Sequence, residues 1–491
     1  MTELVGSLVL CLLVGMVVDR GLLGDGGRGL IERFGRGLML GLGTVGCVSM
    51  FVDLLGFGVS RLSVGSGLAV LVAVLARPAW QAAAGADPRP AESEGGRRNA
   101  LVGWRPHVVH LVLLALAVLG LGIAVRSGWI RPTFQFDAVT RWIFKAKALH
   151  VDETIFGPIS TDEAYGFTHQ RYPPLVSHIA NLPALLSGRF DDRIASAMFP
   201  WFAVALTAIV YGALRRRAGP LNGALGAAWV ANLPLISYIV APPPGAGAAS
   251  AMADIPLALF ITASVIALAD AVDGNRVRAH LEAGIVLGFA ALTKNEGLPF
   301  VVAVGVGLLV SLPRARLRTT LGITGVAGAL YVGLWGWVSS GLPITDEHYL
   351  GRLNAQAVQD GLARLGLITP RLGEELVNFR NWNLTWLAAA ALIGMGGKSL
   401  LKPVPRLILI ALGIQLASYV FAYVITSWTS PAAKMMRPGE DPLHLLLTLT
   451  LGRLLLQVAP AAIVLGLYVS PLEPEPEVAP RPGTAPPPPA S

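Results

Sequence analysis

The sequence is poor in cysteine and in charge. Cys11 and Cys47 are the only cysteines in 491 residues, and each lies inside an apolar run. Two cysteines so placed read as small core residues, which argues against a disulfide framework or a cysteine metal site. Charged residues make up 14% of the chain, against about 25% in ordinary soluble domains. Nucleotide chemistry also lacks its signatures. Gly394-Met395-Gly396-Gly397-Lys398-Ser399 approximates a phosphate loop, but Leu392 stands where its first glycine is required. There is no Asp-x-Asp to hold a nucleotide-sugar metal, no His/Cys cluster at ligand spacing and no G-x-S-x-G elbow.

What is abundant is apolar surface. Hydrophobic residues make up 54% of the chain and the mean hydropathy is +0.61. Both place it among polytopic, all-α membrane proteins. About thirteen spans can be drawn, each bounded by charge or by Pro and Gly. They lie near 4–18, 37–56, 63–77, 107–125, 195–213, 221–240, from Asp254 onward, 281–293, 297–311, 319–338, 383–398, 406–426 and 443–469. Met1-Thr2-Glu3 has no basic region and no small-x-small cleavage site precedes Asp19, so the first run reads as a retained span.

These runs divide the chain. Residues 1–77 form three N-terminal helices, and 78–106 a polar cytoplasmic linker. Residues 107–338 form a core with a long outer loop at 126–194, followed by a second outer loop at 339–382. Residues 383–470 form the C-terminal helices, and 471–491 a Pro-rich tail of disordered composition. Alternate connections hold about twenty Arg and Lys residues on one side and about four on the other. The rich side is then cytoplasmic, and the net charge of +8 reports orientation, not nucleic-acid binding. Both long loops, Asp137, Asp254 and the Lys294 turn fall on the outer side.

The first outer loop opens with Phe134-Gln135-Phe136-Asp137-Ala138-Val139-Thr140-Arg141-Trp142-Ile143-Phe144-Lys145. Val139, Trp142, Ile143 and Ala146 make an apolar stripe at helical spacing, and Asp137, Arg141 and Lys145 a charged one. The pattern predicts a helix flat on the membrane surface with its apolar side in the lipid boundary. Asp137 then either caps that helix and pairs with Arg141 at i,i+4, or acts on a substrate arriving through the membrane. The run from Leu175 to Leu186 is too short to span and reads as a second surface-lying or partly inserted helix. The 281–293 and 297–311 runs each give roughly 20 Å of helix against a hydrocarbon core of about 30 Å. Lys294 and Glu296, which join them, should therefore lie below the surface in a wet cavity. Arg453 stands in mid-span between Leu451-Gly452 and Leu454-Leu455-Leu456, where it needs an anionic partner, a buried carboxylate or a lipid phosphate.

Several of these features occur together, and in order, in one known family. Asp137 opens the first outer loop, and Pro173-Pro174-Leu175 opens the next helix. An Arg-rich turn runs from Arg215 to Gly219-Pro220. Asp254-Ile255-Pro256-Leu257 starts a span, and Leu292-Thr293-Lys294 ends another. Over residues 107–311 the chain resembles polytopic glycosyltransferases of the GT-C fold, which use polyprenyl-phosphate sugars. Nearest in layout are the protein O-mannosyltransferases and the lipid A aminoarabinose transferases. The chain departs from them at Asp137-Ala138, where many relatives carry Asp-Glu, and in its three extra N-terminal spans.

The resemblance implies a hexosyl- or pentosyltransferase with Asp137 as general base. Lys145, Lys294 and Arg453 are candidates for the donor phosphate, and Asp254 for the acceptor or a divalent metal ion, the one cofactor considered. Arg141, His169, Tyr172 and Glu296 are supporting residues. The implied partners are a polyprenyl-phosphate sugar, membrane lipid and an extracytoplasmic glycan, lipid or protein acceptor, with no nucleic acid. The implied location is the inner (plasma) membrane, with a periplasmic or otherwise extracytoplasmic site. A transporter or flippase of lipid-linked sugars, or a surface-polysaccharide polymerase or ligase, are the alternatives.

Overall fold

The computed structural model describes residues 1–23, 28–84, 108–131, 133, 135–237, 250–274, 277–343, 355–426 and 441–470. Phe134, the 241–247 turn, most of the 77–105 linker and the tail from 471 lie outside the described residues. Among those described there is no strand. The N-terminal helices are α1 (Thr2–Val18), α2 (Leu30–Leu54) and α3 (Arg61–Ala84), followed by α4 (Val108–Ile130). In the first long loop a π turn over Ala138–Trp142 runs into α5 (Ile143–Asp152), and α6 is Leu175–Ser187. The core continues with α7 (Pro200–Ala218), α8 (Pro220–Ala231), α9 (Asp254–Gly274), α10 (Val277–Thr293), α11 (Gly297–Ser311) and α12 (Leu317–Tyr331). Then come α13 (Ala355–Leu362), α14 (Leu365–Leu376), α15 (Thr385–Met395), α16 (Pro403–Ile425) and α17 (Pro442–Val469).

Each of the thirteen apolar runs is mainly helical in its described part, with breaks at 197–199 and 232–233. Among the described residues eight helical stretches are long and apolar enough to cross a membrane: Thr2–Leu23 (α1 and the turn after it), α2, α4, Asp192–Ala218 (ending in α7), α9, Leu317–Ser340 (beginning with α12), α16 and α17. Local chemistry sets several boundaries. Arg215, Arg216 and Arg217 complement the carbonyl end of α7. Gly219 then takes φ +95°, a conformation that favours glycine, and Pro220 opens α8. The Asp441 side chain accepts from Leu443 N and caps α17 ahead of Pro442.

Helix α9 is the centre of the bundle, with 94% of its apolar window buried, against 22% for α4 at the perimeter. Helices α1 and α2 share one hydrophobic core with the later helices. They cross through small residues: Gly15 lies against the backbone of Gly37 and Gly41, and Gly41 against the carbonyl of Cys11. A Gly-xxx-Gly face of this kind lets two apolar helices approach to backbone contact. At one end of the bundle an ion-pair network fastens α2 to the core. Arg216 donates to Glu32 at 2.6 Å, Arg28 contacts Asp270 at 3.3 Å and Glu282 at 3.4 Å, and Arg36 joins Asp19 at 3.0 Å and Glu282 at 2.7 Å. Asp254 and Asp270, at opposite ends of α9, are separated by sixteen positions, about 24 Å along a helix.

The outer-loop helices differ from the expectation of lipid-facing surfaces. Trp142, Ile143 and Ala146 are buried against Val176 and Ala180 of α6, with Phe199 and Ala251 to Ala253 in the same cluster. Helix α6 is itself buried from Leu175 through Leu185, packed between α1, α2 and α5. Ser177 donates to the carbonyl of Trp142 at 3.0 Å, and Ser49 of α2 bonds His178 at 2.8 Å. Protein covers Trp142, Ile143 and Ala146 of the stripe, because α6 offers an apolar face there, while Val139 is left exposed.

The α1–α2 contact gives a stability test. Gly41→Val should force the two helices apart and lower the melting temperature of the purified protein, a cost of about 1–3 kcal/mol or more. Gly122→Val on α4, where the added atom meets open space, should leave it unchanged. Equal melting of the two variants would contradict the packing.

Candidate active site

At the end of the bundle opposite the Arg28–Glu282 network, six sequence-predicted residues form one connected cluster. Arg453, on α17, donates from Nη1 to Asp137 Oδ2 at 2.7 Å, and from Nε and Nη2 to Asp254 Oδ2, each at 3.0 Å. Lys294, in the turn between α10 and α11, donates to Asp254 Oδ1 at 3.0 Å and pairs with Glu296 at 2.8 Å. Arg141 pairs with Asp137 Oδ1 at 3.3 Å. The cluster holds three carboxylates, Asp137, Asp254 and Glu296, and three cations, Arg141, Lys294 and Arg453. Its formal charge is balanced.

Each side chain arrives by a different route. Asp254 is the first residue of α9, and Lys294 follows the last residue of α10, so an antiparallel pair of helices brings both to one end. Asp137 precedes the π turn that α6 holds in place. It does not cap its helix through its side chain, so of the two simple roles open to it only the i,i+4 pair with Arg141 is seen. Burial opposes ionisation of Asp137. The Arg453 and Arg141 guanidiniums outweigh it and hold the carboxyl well below the usual carboxylate range.

Of the supporting residues, Arg141 and Glu296 belong to the cluster, and His169 and Tyr172 form a second layer behind Arg141. Arg141 Nη2 donates to His169 Nε2 at 2.7 Å and its guanidinium lies 5.7 Å from the Tyr172 ring centroid. Accepting at Nε2 places the imidazole proton on Nδ1. Burial, with the Arg141 and Lys145 charges close by, pushes His169 down to about 3, so the ring is neutral. His169 adopts φ +52°, uncommon for a residue with a side chain. Lys145 points elsewhere: its ammonium donates to the backbone carbonyls of His169, Gln170 and Tyr172 at 2.7, 3.4 and 3.2 Å. It orders this loop and does not join the Arg453–Lys294 pair.

Two residues of the cluster carry no function in the sequence reading. Gln457 donates to Asp254 Oδ1 at 2.7 Å, and the Tyr419 hydroxyl donates to Gln457 Oε1 at 2.8 Å. Gln457 stands four residues after Arg453, so helical spacing puts both on one face of α17. That was the available signal. Tyr419 gives none in an apolar span. Glu375 of α14, within the second outer loop, approaches Gly452 beside Arg453. It accepts from Asn378, Asn381 and Trp382 at 3.2, 2.7 and 2.9 Å.

The expectation of a divalent ion on Asp254 meets a cation already in place. Among the described residues no three His, Cys, Asp or Glu side chains are grouped to hold a metal ion. Asp137 and Asp254 face one another across the Arg453 guanidinium, so in this arrangement they do not form a metal cradle.

Residues 171–337 match the family model of the dolichyl-phosphate-mannose-protein mannosyltransferases. The matched stretch contains Asp254, Lys294 and Glu296, while Asp137 and Arg453 lie on either side of it. Neither curated proteins nor solved structures match the chain. The family match covers about a third of the chain and, with its all-helical membrane architecture, supports a multi-pass membrane glycosyltransferase of the GT-C, mannosyltransferase type.

Proposed function

We propose that this glycosyltransferase moves a sugar from a polyprenyl-phosphate donor to a hydroxyl of an extracytoplasmic glycan, lipid or protein. In this reading Asp137 acts as general base at the periplasmic or extracytoplasmic face of the inner (plasma) membrane. The observation that carries it is the single guanidinium of Arg453 joining Asp137 to Asp254 beside Lys294.

The chemistry follows from the charges. The acceptor oxygen attacks the anomeric carbon, and its proton passes to the Asp137 carboxylate. The bond from that carbon to the phosphate oxygen breaks, and polyprenyl phosphate leaves with the electron pair and a second negative charge. Such a leaving group calls for fixed cations more than for a proton donor. Arg453 offers a planar fork that matches phosphate oxygens, and Lys294 adds a compact charge. Arg141, oriented by neutral His169 and the Tyr172 ring, keeps Asp137 ionised and aimed. Lys145 supports the same loop from behind.

Three tests follow. Asp137→Asn should lower turnover by about 10²–10⁴-fold in protein that still folds, with a lower melting temperature because Arg453 and Arg141 lose a partner. Full turnover would remove the base assignment. Arg453→Lys keeps a positive charge but cannot span both carboxylates, so transfer from polyprenyl-phosphate sugars should fall. In the wild type, release of polyprenyl phosphate should match sugar transferred one for one. Transfer without that release would contradict the donor class. His169 sets a pH dependence: its folded value near 3 lies below the unfolded value of about 6.5. Its contribution to stability is thus complete above about pH 6.5 and is lost as pH falls toward 3. Melting temperature should decline over that window, and His169→Gln should flatten part of the decline. An unchanged slope would place the ring in a protonated, different contact.

A further inference from the structure

The two carboxylates on Arg453 are not equivalent. Asp254 receives two donors from Arg453, one from Lys294 and one from Gln457, and its side chain is 3% exposed. Gln457 is oriented as well. The Tyr419 hydroxyl donates to its Oε1, which leaves only the amide NH₂ to face Asp254. Asp137 holds one donor from Arg453 and one from Arg141, and its side chain is 11% exposed. Arg453 is 14% exposed and Lys294 6%. A ligand entering from outside therefore meets Asp137 and Arg453 before it meets Asp254 or Lys294.

The charge balance restricts how a phosphate can enter. A phosphodiester brings one more negative charge to a site of three anions and three cations. Burying an anion with no free cation is strongly unfavourable, so one carboxylate has to yield its place on a cation, either Asp137 or Asp254 on Arg453 or Glu296 on Lys294.

We propose that the donor phosphate takes the Arg453 fork from Asp137 and not from Asp254, with Gln457 and Tyr419 holding Asp254 as the permanent counter-ion. This rests on the polyprenyl-phosphate donor proposed above. In the empty protein Asp137 is bound to Arg453 and is a poor base. Once the donor is seated, Asp137 keeps only Arg141, gains affinity for a proton and stands next to the anomeric carbon. The acceptor proton then moves to Asp137 while the carbon–oxygen bond to phosphate breaks. Arg453 is already on the oxygen that receives the electron pair. The donor thus binds productively before the base acts, and Gln457 and Tyr419 are positioning residues for that order.

The test is binding of sugar-free polyprenyl phosphate to the full-length purified protein, compared among wild type, Asp137→Asn and Glu296→Gln. Both variants remove one negative charge from the cluster, but only Asp137 touches Arg453. Asp137→Asn should bind about tenfold more tightly or better, the effect of losing one competing charge-assisted hydrogen bond. Glu296→Gln should change far less. Equal tightening in both variants would mean simple charge balance and overturn the exchange. Unchanged or weaker binding by Asp137→Asn would overturn it too, and if that variant is also inactive the base assignment stands by itself. An active Asp137→Asn removes the base assignment, and its affinity still judges the exchange. Failure of all three proteins to bind polyprenyl phosphate would overturn the donor reading and the exchange together.

Discussion

One guanidinium sets the geometry of one end of this helix bundle. Arg453 sits in a long apolar helix, where an uncompensated charge costs at least a few kcal/mol. It is compensated by carboxylates from two distant segments, the first outer loop and the start of α9. Forming both pairs requires α17, α9 and the α5–α6 layer to meet at one point. The arrangement is self-consistent only as a whole. Removing one partner of such a buried pair costs about 3–5 kcal/mol, because the other is left charged and unmatched.

The opposite end uses the same physics for another purpose. Glu32, Arg28 and Arg36 of α2 and its approach interlock with Arg216, Asp270 and Glu282. They make the N-terminal helices part of the same body as the core. From that body, Ser49 reaches His178 of α6, and Asp53 accepts from Ile155 N in the first outer loop. The N-terminal helices thus brace the layer that presents Asp137. A charge network anchors one end of the bundle, and a second one, centred on Arg453, occupies the other.

Much of this was legible in the residues. Apolar runs of limited length, Asp137, Asp254, the Lys294 turn and a mid-span arginine all pointed to one end, because an ionisable group at membrane depth has few places to go. What covers an apolar stripe was not legible. Periodicity marked Trp142, Ile143 and Ala146 as one face but could not say that α6, not lipid, would meet it. Lys145 shares the charged stripe with Asp137, yet its longer side chain turns to three backbone carbonyls that no spacing rule reveals. The inner arginines read as orientation signals alone. Their pairing with Glu32, Asp270 and Glu282 depends on tertiary contacts between residues far apart in sequence. Gln457 was within reach of an i,i+4 argument from Arg453, whereas Tyr419 was not.

The account as a whole turns on where a phosphate binds. The most direct measurement is an experimental structure of the full-length protein with polyprenyl phosphate bound. The account predicts the phosphate within hydrogen-bonding distance of Arg453, with Asp137 moved off the guanidinium and Asp254 still on it. A phosphate bound away from Arg453, or one that leaves the Asp137–Arg453 pair intact, would contradict it.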